Sequence, residues 1–248
     1  VEFRETGWSM KKLHRLIVTS ATYRQSSRMS EQHRLQDPEN RLYARASRFR
    51  MPSTVLRDWA LSSAGLLVDT VGGAPVYPYQ PDNVWEPLAI TKERDFTYPA
   101  SAGDDLYRRS LYTFWRRTVG PANMFDASNR QACRVRAMST STPLHALTTL
   151  NDPTWVEAAR FMAQSLMGQN LQVETRITTA FQQVLSRNPD DEERARLLAA
   201  YRRQFEIYSQ HPESATEFLT IGESKGDETL DPIETAALSA VCLGILNL

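Results

Sequence analysis

The chain has 248 residues, of which 41% are hydrophobic, enough to bury a sizeable core as one or two units. Its 29 basic residues balance 29 acidic ones, which argues against a nucleic-acid or membrane-surface field over the whole molecule. No apolar run approaches the roughly 20 residues that span a bilayer.

Val1 is not a natural start, and residues 2–7 read as the end of a helix, so the chain is expected to lack an N-terminal part. Ser9 is placed to cap a helix running to about Gln25, with Met10, Leu13, Leu16 and Ile17 inward. Pro52 and Ser53 open a second helix that reaches Gly65 and carries Val55, Leu56, Trp59 and Ala60. The pattern then breaks. Gly72, Gly73 and prolines 75, 78, 81, 87 and 99 forbid a long helix over 72–104. The arginine-rich stretch 106–115 fits neither helix nor strand periodicity and leaves room for a small two-stranded element.

Helix signals return at Thr142-Pro143, where a hydroxyl stands at the N-cap and a proline at the first helical position. Leu144, Leu147 and Leu150 follow at helical spacing, and Asn151-Asp152-Pro153 ends that helix and caps the next. Trp155, Val156, Ala159, Met162, Ala163 and Leu166 give the next helix a broad apolar face. Ile177, Ala180, Phe181, Val184 and Leu185 repeat the pattern, and Asp190 with Glu193 forms a capping box for a helix bearing Leu198, Tyr201, Phe205 and Tyr208. Asp231-Pro232 starts the last helix. The fold class expected is therefore mainly α: a single multi-helix domain over 1–248, with an irregular Pro- and aromatic-rich insertion at 72–118.

Two groups of residues are candidates for chemistry or binding. Arg130, Cys133, Arg134 and Arg136 crowd the approach to two abutting helix starts, with Asp152 at the second. Guanidinium forks there suit carbonyls and carboxylates as a scaffold centre, or phosphate as an anion site. Tyr77, Tyr79, Trp85, Phe96 and Tyr98 lie in the proline-stiffened insertion, either as a platform for a glycan or protein partner or as rings pinning the loop to the core. Cys133 and Cys242 belong to no C-x-x-C or C-x-x-C-H string, so neither haem attachment nor a zinc clasp is expected within the chain. Cys242, in an apolar run, reads as a small buried hydrophobe, and a Cys133–Cys242 disulfide stays open. His14, His33, His145 and His211 have no metal-ligand spacing, and no nucleophile elbow, HExxH string or phosphate loop occurs.

Three blocks carry a family resemblance: residues 8–27 (WSMKKLHRLIVTSATYRQSS), 37–45 (DPENRLYAR) and 108–118 (RRSLYTFWRRT). With the segment 129–160, they resemble the planctomycete-specific domain one family, whose string in that segment reads Arg-Thr-Asn-Thr-Pro-Leu-Gln-Ala-Leu. Ser139, Ser141 and His145 stand here in place of its Arg, Asn and Gln. The resemblance implies the C-terminal part of a large exported protein, periplasmic or at the cell surface, with a c-type cytochrome domain upstream. Any haem would then belong to that upstream domain. The partners implied are upstream domains of the same polypeptide or a complex subunit, with no nucleic acid.

Three functions are compatible with these residues. The leading one is a structural or interaction module docking on the upstream domains. The alternatives are part of an enzyme acting on extracellular polysaccharide, and a glycan-binding module using the 77–98 loop.

Overall fold

The computed structural model of the chain describes residues 1–81, 98–115, 120–121, 123–126, 142–169 and 171–248. Among these, ten α-helices and no sheet occur, and the protein is mainly α. The chain divides into two compact units, Val1–Arg50 and Met51–Leu248.

The first unit holds α1 (Glu2–Glu5), α2 (Met10–Thr19) and α3 (Glu31–Gln36). Ser9 caps α2 as its sequence demands, its side chain accepting from the Lys12 N–H at 3.3 Å. The helix stops at Thr19, short of Gln25, because Ser20 takes over the local bonding. Its hydroxyl donates to the Ile17 carbonyl at 2.7 Å and accepts from the Tyr23 N–H at 3.2 Å, which competes with helix continuation. The expected inward face is not inward: α2 has no buried residue, and Met10, Leu16 and Ile17 are exposed.

The block 37–45 closes on itself. The Asp37 carboxylate accepts from the Arg41 and Leu42 N–H groups at 2.7 and 2.8 Å, and the Arg45 guanidinium donates to the Asp37 and Pro38 carbonyls at 2.8 and 2.6 Å. Asn40, in a left-handed conformation, bridges to the Arg45 backbone from both ends of its amide. The Leu42 N–H, ahead of the other contacts, holds the Asp37 carboxyl below its ordinary value.

The second unit contains α4 (Ser53–Ala64), α5 (Pro143–Asn151), α6 (Pro153–Met167), α7 (Val173–Leu185), α8 (Asp191–Gln210), α9 (Pro212–Leu219) and α10 (Pro232–Ile245). Its centre is the pair α6 and α10. Small residues let α10 approach closely: Ala236, Ala237, Ser239 and Cys242 are fully buried beside Leu238, Val241 and Ile245. A helix apolar nearly all round must be surrounded, and α10 packs on α6, α7, α8 and α9. On the other side, α6 carries α4, α5 and α7. Trp155, Met162, Leu166, Ile177 and Phe181 fill the core between them.

Three of the caps are those the sequence encodes, whereas Thr142 stands at the N-cap of α5 but its hydroxyl accepts no cap bond. Asp152 caps α6, Asp190 and Glu193 form the reciprocal box on α8, and Asp231 accepts from the Glu234 N–H at 2.7 Å. Gly65, at φ +83°, ends α4 in the left-handed conformation that glycine tolerates. One cap comes from far away. Asp126 accepts the Ser53 N–H at 2.9 Å and its hydroxyl as well, so α4 begins on a carboxylate 73 residues distant.

No continuous strand pairing forms over 106–115. Two parallel bridges occur, Val68 with Arg108 and Val76 with Thr113. The chain tightens into 3₁₀ turns over Gly103–Tyr107, just before the first bridge, and Ser110–Tyr112, between the two, which interrupts any ladder.

Candidate functional site

The apolar face of α6 carries two charged residues, Glu157 and Arg160, each 1% exposed. One turn apart, they share the stripe that buries Trp155, Ala159 and Ala163. A carboxylate in that position must find donors, and Glu157 finds them on three segments. Oε2 accepts from the Tyr79 hydroxyl at 2.9 Å; Oε1 accepts from the Tyr107 hydroxyl at 2.8 Å and the Ser224 N–H at 2.5 Å. The Arg160 Nη2 stands 3.6 Å from Oε1 and donates to the Ser224 carbonyl and hydroxyl at 2.8 and 2.7 Å. The Tyr79 hydroxyl accepts in turn from the Glu223 N–H at 2.8 Å. Burial first, then the Glu157 carboxylate, pushes the Tyr79 phenol well above its ordinary value; burial and the same hydrogen bond do so for Tyr107. Both phenols stay protonated and act as donors. The result is a closed ionic knot tying α6 to the insertion and to the 222–224 loop.

A second buried charge lies on α4. Arg57, fully buried, donates from Nη2 to the Leu106 carbonyl at 2.6 Å and from Nη1 to the Arg108 carbonyl at 2.9 Å and the Ser110 hydroxyl at 3.4 Å. Desolvation lowers its pKa, opposed by the carboxylates of Asp58 and Asp152. Neighbouring Asp58 accepts the Ser110 N–H at 2.7 Å. Arg108, also buried, reaches the other way. It donates to the Ala74, Thr70 and Gly72 carbonyls and stacks over the Tyr112 ring at 4.2 Å. Arginine forks thus replace a strand ladder in holding the 66–81 and 98–115 segments to the helices, because each fork serves several carbonyls at once.

Asp152 is partly buried at the α5–α6 junction and accepts the Thr154 N–H at 2.9 Å. Burial raises its pKa; Thr154, Arg57 and Asn123 pull the other way without cancelling the effect. A carboxyl raised above its unfolded value binds its proton more tightly in the native state, so stability falls as pH rises through that window. Asp152→Asn keeps a good N-cap and removes the buried charge. It should therefore be more stable than the parent in urea at about pH 7, with the difference vanishing at about pH 3, where Asp152 is protonated. Asp152→Ala, which loses the cap, should cost about 1 kcal/mol instead.

Of the other arginine-cluster candidates, Arg130, Cys133, Arg134 and Arg136 lie outside the described residues, as do Trp85 and Phe96 of the aromatic group. The remaining three tyrosines are brought together. Tyr77 stacks on Phe114 at 4.9 Å and meets Tyr98 edge-on at 5.6 Å, while the Tyr98 hydroxyl donates to the Pro78 carbonyl at 2.6 Å. Tyr79 is committed to Glu157. All three are half-buried and bonded to their own chain. Cys242 is buried, and desolvation pushes its thiol up to about 12. His145 stacks on Phe125 at 3.9 Å. Among the described residues, no three of His, Cys, Asp and Glu are grouped to hold a metal ion.

Sequence reasoning passed over Glu157, Arg160, Arg57 and Gly222. The signal for the first three was present: each is a charge inside an apolar helical stripe, a place where only a paired charge survives.

The motif blocks therefore map onto structural knots: 37–45 closes a loop, and the described part of 108–118 staples the insertion. A family model described as PSD1, protein of unknown function (DUF1553), matches residues 1–201. The chain belongs to this family. Its name agrees with the planctomycete-specific domain one resemblance. The matched span contains the three blocks, both buried arginine forks and Glu157, and it ends inside α8. The other half of the Glu157 knot, the 222–224 loop, and all of α10 lie beyond it. No curated protein and no solved structure matches the chain.

Proposed function

We propose that this PSD1 chain is a structural and interaction module, docking through α5 on upstream domains of an exported, cytochrome-linked polypeptide. The observation carrying this reading is the outer face of α5. Leu144, Leu147 and Leu150 are 70%, 58% and 41% exposed and recur every three residues on one side of the helix. The opposite side is fixed: Thr149 is buried and hydrogen-bonds the Asn247 side chain, and Asp152 locks the turn into α6. A rigid helix presenting a leucine row is the form a docking surface takes. The buried charges support the same reading, since Glu157, Arg57 and Arg108 spend their hydrogen bonds holding the fold. Any haem would sit in the upstream domain. No helix among the described residues is long and apolar enough to cross a membrane.

Leu144→Glu with Leu147→Glu tests the reading. In the isolated chain, both positions face solvent, so stability should change by no more than about 0.5 kcal/mol. In the full-length polypeptide the same pair should detach the module, seen as new protease sensitivity upstream of it. Unchanged protease resistance there would reject docking through α5.

A further inference from the structure

Charge is balanced over the whole chain but not within it. The unit Val1–Arg50 holds eleven Lys and Arg against five Asp and Glu, and the remaining residues carry the opposite excess. The asymmetry sharpens over residues 6–30, which contain Lys11, Lys12, Arg15, Arg24 and Arg28 and no Asp or Glu. An anionic surface therefore attracts this unit and repels the other.

The helix α2 sorts its charges onto one side. At 3.6 residues per turn, Lys11, Arg15, Thr19 and Lys12 fill an arc of about 100°. Met10, Leu13, Leu16, Ile17 and Val18 cover the rest, with His14 among them. Lys11 borders Val18 and Lys12 borders Leu16, so a lysine stands at each edge of the apolar arc. No residue of α2 is buried, and Met10, Leu16, Ile17 and Val18 are between 46% and 54% exposed. Trp8, edge-on to Phe3 at 5.3 Å, is exposed just before the helix, and Tyr23 is exposed just beyond it.

This arrangement fits a lipid surface better than a protein groove. A groove takes a narrow row of anchors, such as the leucines of α5, a helix with no Lys or Arg. The apolar arc of α2 spans more than half the circumference. Its border lysines can lay their stems along the apolar boundary while the ammonium groups reach headgroup phosphates. Aromatic rings at both ends suit the same depth, where Trp and Tyr concentrate. Ten residues rise only about 15 Å, half the hydrocarbon thickness, so the helix would lie in the plane of the surface and not cross it.

We infer that α2, with Trp8 and Tyr23 at its ends, binds the surface of an anionic phospholipid bilayer. The α5 face belongs to the other unit, and the inference stands whether or not α5 docks.

Vesicle flotation of the 248-residue chain tests it. The chain should float with mixed phosphatidylglycerol–phosphatidylcholine vesicles and stay behind with pure phosphatidylcholine. Ile17→Asp, at an exposed apolar position, and Lys11→Glu with Lys12→Glu should each weaken binding at least about tenfold, with unchanged melting temperatures. Lys11→Arg with Lys12→Arg, and Leu144→Glu with Leu147→Glu, should float like the parent. The inference fails if the chain does not float with the anionic vesicles, or if the Lys→Glu pair floats undiminished. It fails equally if Ile17→Asp floats like the parent, which would mark a plain polyanion site. Tighter binding to soluble poly-glutamate than to the vesicles would mark an acidic protein partner and overturn it too.

Discussion

Gly222→Ala is expected to lower the melting temperature by roughly 10 °C, corresponding to about 4 kcal/mol for a unit of this size. Gly222 holds φ +93°, and a Cβ built on it would lie 2.3 Å from Glu157 Cδ and 2.6 Å from Cγ. Neither side has room to yield. A non-glycine residue in that conformation costs about 1–3 kcal/mol by itself. Moving Glu157 aside would break its bonds to Tyr79, Tyr107 and Ser224, each orphaned buried group adding about 1–3 kcal/mol. Gly244→Ala is the control, since it lies in α10 with no atom within 4 Å of the added Cβ. That change should be neutral or stabilise by up to about 1 kcal/mol. A Gly222→Ala protein melting within a degree or two of the parent would mean the 222–224 loop does not close over Glu157.

Arg57→Ala should be comparably damaging, at about 3–5 kcal/mol. The truncation leaves the Leu106 and Arg108 carbonyls and the Ser110 hydroxyl without their donor, inside a space where Arg57 is 0% exposed. Arg57→Lys should recover only part of the loss, because one ammonium cannot span acceptors that the planar fork reaches together. The exposed Arg202→Ala should change stability by less than about 0.5 kcal/mol. Denaturant titration of the three variants decides the matter. Equal effects of Arg57→Ala and Arg202→Ala would show that the fork does not anchor the 106–110 segment.

The helices were legible because their boundaries are written locally. Ser9, Asp152, Asp190 and Asp231 each cap the helix that the next few residues encode, and the stripes of α6 and α7 are buried as their spacing requires. The misreadings have physical reasons. Periodicity shows that Met10, Leu16 and Ile17 share a face, but not whether anything covers it. Ser20 ended α2 through bonds that a hydrophobic pattern does not register. The insertion was harder still. What holds it is long-range, with Tyr79 and Tyr107 on Glu157, Arg57 on the 106–108 carbonyls and Asp126 on Ser53. Only the presence of the charges, not their partners, can be read in one dimension.

Hydrogen exchange of α5 in the isolated chain and in the full-length polypeptide is the most direct test of the module reading. Residues 144–150 should exchange markedly more slowly in the full-length protein, while α10, buried in both, should be unchanged. Equal exchange of α5 in the two would leave its leucine row uncovered and contradict docking through that face.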